Sequence, residues 1–260
     1  MQKQSVIYND LEVMEYQEAW DLQERLLNRN SRIKSAFRSS QLIFTNDSGT
    51  SNQNINNNKQ AASAEPETIN YLLFVEHPPV YTLGKSGHVE NLLIGDEERA
   101  ARGVQFFKTN RGGDITFHGP GQIVGYPILD LEKFYTDIGK YLRNIEEVII
   151  LTLAEYGITG QRSAGETGVW IDPDIKGMER KICAIGVRCS RWITMHGFAL
   201  NVNTNLDYFN YIVPCGIQNK KVTSLQQELG KEVLIDEVKR TIKKNFEEVF
   251  QVTLKEDEVL

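Results

Sequence analysis

An α+β domain is predicted, with mixed, mainly antiparallel sheets flanked by helices. Strand-like segments come in clusters, whereas a doubly wound parallel sheet needs them to alternate one for one with helices. Two long stretches, near the middle and the end of the chain, carry apolar residues at helical spacing. The whole is 260 residues with 40% hydrophobic and 25% charged side chains, enough to bury a substantial core and near the size where one large domain and two small ones both fit; residues 1–260 are read as a single domain.

From the N-terminus, Ala19, Leu22 and Leu26 stand at i, i+3 and i+7, predicting a helix from about Leu11 to Asn28. From about 31 to 67 the pattern dissolves into Asn-rich polar sequence and is read as a flexible insertion. Ile69 to Glu76 is a near-continuous apolar run, the mark of a strand buried on both faces, and His77-Pro78-Pro79 stops it. Further strands are expected at Val104–Thr109, at Asp114–His118 after a Gly112-Gly113 turn, and at Gln122–Leu131. Ile138, Leu142, Ile145, Ile149 and Leu153 make the stripe of a helix from about Thr136 to Tyr156, ended by Gly157. Strands follow at Thr167–Ile171, Lys181–Cys189, Thr194–Val202 and Tyr208–Val213. A last helix, about Asp236 to Gln251, carries Val238, Ile242, Phe246 and Val249 on one side.

Lys and Arg number 29 against 35 Asp and Glu, a net charge of −6 that disfavours a general nucleic-acid binder. The first ten residues lack the apolar core of a secretory signal and no segment approaches ~20 apolar residues, so no membrane span and a cytoplasmic location are expected. Cys183, Cys189 and Cys215 show no C-x-x-C spacing and the four histidines no H-E-x-x-H, so no metal is expected.

Alternation along a strand from Lys181 puts Lys181, Cys183, Ile185, Val187 and Cys189 on one face, making the two cysteines small buried hydrophobes and Lys181 the end of an apolar stripe. A lysine there serves as a base, as a cation favouring a nearby thiolate, or as a strand-end residue snorkelling to water. Cys215, between Pro214 and Gly216, lies outside any periodic segment and is either a presented nucleophile or a plain loop thiol. Arg111-Gly-Gly-Asp-Ile-Thr-Phe-His-Gly-Pro-Gly-Gln122 projects Asp114, Thr116 and His118 from one face of a strand between glycines that permit close ligand approach. The same pattern fits an edge strand between tight turns. His118 and His196 each precede glycine after an apolar strand, as pocket or structural histidines.

Arg111 to Gln122, Lys181-Ile-Cys-Ala-Ile-Gly186, His196-Gly-Phe-Ala-Leu-Asn-Val-Asn203 and Pro214-Cys-Gly216, in this order, resemble the lipoyl(octanoyl) transferase family, and Phe74 to Thr82 and Gly168 to Asp172 fit it too. The resemblance implies the fold of biotin and lipoate ligase catalytic domains. It implies an acyltransferase, without cofactor, moving an octanoyl group from the phosphopantetheine thioester of acyl carrier protein to a lysine of a lipoyl domain in a 2-oxoacid dehydrogenase complex or the glycine cleavage H protein. By the same resemblance Cys215 is the acyl-thioester nucleophile and Lys181 its activating partner. The implied substrate-binding segments are Arg111, Gly112, Gly113, Asp114, Ile115, Thr116, Phe117 and His118; Ala184, Ile185 and Gly186; and Gly197, Phe198 and Ala199.

Three rival readings stay in view: an ATP-dependent lipoate or octanoate ligase of the same fold, a non-catalytic acyl-carrier or lipoyl-domain binding protein, and a cysteine hydrolase pairing Cys215 with His118 or His196. Partners of the implied kind tend to be acidic, as this chain is, so a local basic patch of Lys176, Arg180, Lys220 and Lys221 is expected to receive them.

Overall fold

The computed structural model describes residues 3–46, 66–213 and 221–256. The main sheet is built from β1 (Gln4–Val13), β2 (Asn70–Glu76), β6 (Gln122–Ile128), β7 (Val169–Ile171), β8 (Arg180–Ser190), β9 (Ile193–Asn201), β10 (Lys221–Val222) and β11 (Val252–Glu256). Its order is β10-β8-β9-β6-β2-β1-β11, with β7 also pairing with β8. A smaller sheet, in the order β4-β3-β5, is formed by β3 (Val80–Leu83), β4 (Gln105–Lys108) and β5 (Ile115–His118). Five of the nine described pairings are antiparallel, so the sheets are mixed with an antiparallel majority.

Helices cover the main sheet on both sides, and strand alternation shows how. Leu72 and Phe74 of β2 join Ile123, Phe198 and Leu200 in a core with α3 (Ile138–Glu155) and α5 (Ile235–Phe250). Tyr71, Leu73 and Val75 of the same strand join Val124, Tyr126, Met195 and Ala199 against α1 (Tyr16–Asn46). Two covered faces explain why β2 is apolar at nearly every position. Both core helices follow the expected stripes: Ile145, Ile149 and Leu153 of α3 pack on Val238, Ile242 and Phe246 of α5. Asp137 caps α3 by accepting from the Lys140 amide at 2.9 Å. Two short helices, α2 (Asp96–Ala101) and α4 (Leu225–Leu229), complete the set. Among the described residues no helix is long and apolar enough to cross a membrane.

Three expectations need correction. The chain opens with strand β1, so Leu11 lies in a strand and the first helix begins only at Tyr16. That helix runs to Asn46, well into the stretch read as a flexible insertion at 31–67; residues 47–65 lie outside the described residues. Two polar side chains near its middle have distant partners: Asn30 bonds to Ile69 in both directions, and Lys34, 2% exposed, pairs with Asp130 at 2.6 Å. The expected strand Tyr208–Val213 is instead a 3-10 turn over Leu206–Tyr211, started by Asn205 accepting from the Asp207 amide. Its aromatic residues pack on the small sheet, with Tyr208 stacked on Phe117 at 4.5 Å.

Candidate active site

Among the described residues the outer edge of β8 has no strand partner beyond Cys183, because β7 and β10 pair only with its first residues. A cavity of about 620 Å3 wraps that edge and draws its walls from both faces of the sheet. Ile185, Val187, Phe198, Ile138 and Leu142 line it from the α3 side, and Gln122, Val124, Tyr126 and Ala199 from the α1 side. Ile138 and Leu142, which the helical stripe assigned to the core, thus face this space.

Lys181 lies at one end. Its Nζ is 4.5 Å from the centroid of the Trp170 ring on the paired strand β7, a cation–π contact that fixes the ammonium at the cavity wall. The approach of β7 depends on Gly168, where a Cβ would fall 2.6 Å from the Cys183 carbonyl oxygen. Buried Glu146 of α3 holds that turn, accepting from the Gly168 amide at 3.1 Å while paired with Arg143 and Arg162.

The segment Arg111–Asp114 folds onto β8, where the Gly112 amide donates to the Val187 carbonyl at 2.9 Å. Gly186 allows this, since a Cβ there would stand 2.9 Å from the Gly112 carbonyl oxygen and 3.2 Å from the Arg111 side chain. Gly186→Ala is therefore expected to push the loop off the strand and slow turnover at least tenfold, measured beside an unchanged far-ultraviolet circular dichroism spectrum. Turnover within twofold of wild type would show that the loop position is not needed.

Of the residues expected to bind substrate, Arg111 to Thr116, His118, Ala184 to Gly186 and Gly197 to Ala199 all line the cavity. Phe117 does not: it is 1% exposed within the aromatic cluster of the small sheet. The Arg111 guanidinium donates to the Thr82 carbonyl, the Thr82 hydroxyl and the Gly112 carbonyl, which ties the loop to β3. Cys215 lies outside the described residues. Cys183 is buried in the core as expected, whereas Cys189 is only half-buried against it, and burial pushes both thiols up. The expected basic patch loses Arg180, which is engaged by Glu228 at 2.6 and 2.7 Å and by Asp172 at 2.7 Å. Lys176 and Lys221 are exposed, and Lys220 lies outside the described residues.

A buried polar floor was not foreseen. His77 donates from Nδ1 to the Met14 carbonyl and accepts at Nε2 from the Tyr126 hydroxyl, both at 2.7 Å. Gln122 donates through Nε2 to the Phe117 carbonyl and to Asn201 Oδ1, so its Oε1 accepts from His118 Nδ1 at 2.8 Å. The other His118 nitrogen is then an acceptor for Thr82. Burial holds His77, His118 and His196 neutral: it lowers His77 to about 4 and His196 to about 3, and takes His118 well below its ordinary value. In the unfolded chain these rings take up protons near pH 6.5, so the fold loses stability as pH drops from 6.5 towards 4, at up to ~1.4 kcal/mol per pH unit for each histidine. Urea unfolding at pH 7, 6 and 5 should show a falling midpoint; a flat series would contradict neutral burial. His77, Tyr126 and Asn110 carry no local sequence signal, because each is defined by partners far along the chain.

The mixed sheet covered by helices on both sides is the fold of lipoate and biotin ligase catalytic domains. Solved structures agree on the fold: the bi-partite lipoate protein ligase of Thermoplasma acidophilum has a TM-score of 0.63 at 17% identity, covering 100% of this chain and 88% of that one. Lipoate-protein ligase A bound with ATP gives 0.63 at 16% identity, covering 100% and 90%. The family model for the lipoyl protein ligase A/B catalytic domain matches residues 50–247. The protein named octanoyltransferase in Christiangramia forsetii is 53% identical over 256 residues, 98% of this chain and 99% of that protein. Its namesake in Flavobacterium johnsoniae is 64% identical over 188 residues, 72% of this chain and 81% of that one. The chain belongs to the octanoyltransferase family and is an acyltransferase.

Proposed function

We propose that this enzyme moves an octanoyl group from its thioester on acyl carrier protein to a lysine of a lipoyl domain, through a covalent thioester on Cys215. Lys181 takes the Cys215 thiol proton, the thiolate attacks the donor carbonyl, the donor carbon–sulfur bond breaks, and the departing thiolate receives that proton from Lys181, which is left neutral. The acceptor amine then attacks the new thioester, its carbon–sulfur bond breaks, and an amide forms as Lys181 takes the amine proton and the Cys215 sulfur recovers one. Exchange of one thioester for another is nearly isoenergetic, so the sequence needs no nucleotide. Arg111 to His118, Ala184 to Gly186 and Gly197 to Ala199 bind the substrates, with Phe117 supporting the first segment from behind. Acceptors are the lipoyl domains of 2-oxoacid dehydrogenase complexes or the glycine cleavage H protein.

The observation that carries this reading is Lys181 at the end of an apolar, acyl-sized cavity, with β10, the first described strand after Cys215, paired to β8 at Arg180 and Lys181. Burial of an eight-carbon chain, at ~0.8 kcal/mol per methylene, supplies several kcal/mol of affinity there. The test is intact mass after mixing with octanoyl-acyl carrier protein in the absence of ATP. A hydroxylamine-sensitive octanoyl adduct on Cys215, lost in Cys215→Ser, is expected. Labelling that appears only with free octanoate and ATP would make the protein a ligase instead.

A further inference from the structure

Of the three buried histidines around the cavity floor, His77 and His118 have both ring nitrogens satisfied and His196 does not. Asn110 donates through Nδ2 to Glu24, which Arg188 holds at 2.7 Å, so Asn110 Oδ1 must accept from His196 Nε2 at 2.7 Å. The proton is thereby fixed on Nε2, leaving Nδ1 a bare acceptor. That nitrogen is buried with no partner among the described residues, in a side chain that lines the cavity and is 2% exposed. Buried polar atoms without partners are rare and call for an explanation.

The backbone is bent to put the ring there. His196 has φ +57 in the middle of a strand, a left-handed conformation that costs a non-glycine residue free energy. In a regular strand His196, opposite Val187, would share the face of Phe198 and α3. Its ring instead lies 6.3 Å from that of Trp20 on α1, on the opposite face. Burial keeps the imidazole neutral, so Nδ1 can accept a hydrogen bond but is too weak a base to carry protons in catalysis.

His196 and Lys181 stand at opposite ends of the cavity, since Val187 is six residues from Lys181 on β8, ~20 Å along the strand. Ala184, Gly186, Phe198 and Ala199 line the space between. An extended octanoyl chain is ~10 Å long and the reacting groups at the Lys181 end occupy several more, so a chain laid along β8 from Lys181 towards His196 would stop short of the ring.

Building on the octanoyl-transfer reading, we propose that His196 Nδ1 is the polar stop of the acyl slot and sets the upper limit of chain length. A methyl end that packs on the ring leaves this acceptor unpaired, whereas a chain ending in a hydroxyl supplies the donor it lacks. The difference between the two ends amounts to about tenfold in rate.

The test uses the intact enzyme with synthetic thioesters of eight, ten and twelve carbons, each also with a terminal hydroxyl, and reads transfer to a lipoyl domain. In wild type the hydroxyl should raise the rate of the ten- or twelve-carbon chain about tenfold while giving the eight-carbon chain no gain. His196→Leu should erase the hydroxyl preference and raise the rate of long methyl-ended chains relative to octanoyl. If octanoyl transfers but a terminal hydroxyl helps no chain in wild type, or His196→Leu leaves the length profile unchanged, the proposal is overturned. Transfer of no chain at all would overturn the octanoyl-transfer reading with it.

Discussion

Lys181→Met is expected to slow both acylation of the enzyme and transfer to the acceptor by about 10²- to 10⁴-fold, the range typical for losing a positioned acid–base group. Methionine keeps most of the lysine stem and so preserves packing along Trp170 and Gly168 while removing the ammonium. Lys181→Arg separates the two roles left open by the sequence. A guanidinium holds its proton at any working pH, so it can favour a thiolate by charge but cannot accept a proton from thiol or amine. If Lys181 is the base, arginine should be as slow as methionine, although it retains the cation and can still stack on Trp170. Single-turnover formation of the octanoyl adduct, followed by mass, checks this. Near-normal acylation in Lys181→Arg would assign the residue to electrostatics, and near-normal acylation in Lys181→Met would remove it from the chemistry.

What could be read in advance follows from what is local. The apolar run of β2 and the stripes of α3 and α5 are set by covered faces, and face coverage writes itself into neighbouring residues. The glycine-bounded segment at Arg111–His118 was legible because close backbone approach excludes a side chain, whereas Gly186, which meets the same demand on β8, was reached only through the resemblance. β1 was missed because it is held by β2 and β11, tens to hundreds of residues away, and its own pattern is half exposed. The reach of α1 past Asn30 was hidden for the opposite reason: Ser31 and Lys34 are polar by type yet buried by position, and no local pattern announces a distant carboxylate. His196 was legible as a pocket candidate, but the left-handed backbone that swings it across the sheet was not.

The pair that anchors α1 carries the largest expected effect on stability. Lys34 and Asp130 are 2% and 1% exposed and meet at 2.6 Å; the Arg191 carbonyl accepts from Lys34 and Asp130 also accepts from the Thr68 hydroxyl at 2.8 Å. Removing one partner of such a pair leaves a buried charge uncompensated, at a cost of about 3–5 kcal/mol. Asp130→Ala should fall near the lower end, because Glu132 remains 2.8 Å from the Lys34 ammonium and is partly open to water. Lys34→Met should cost more, since it leaves the Asp130 carboxylate with only neutral donors, Thr68 and the Glu132 amide. The double change Lys34→Met/Asp130→Leu removes both charges and fills the space with apolar groups, so it should recover most of the loss. Urea unfolding of the three variants gives the coupling directly. Single changes costing under ~1 kcal/mol would place the pair in solvent-like surroundings and undo the burial assigned to Lys34 and Asp130.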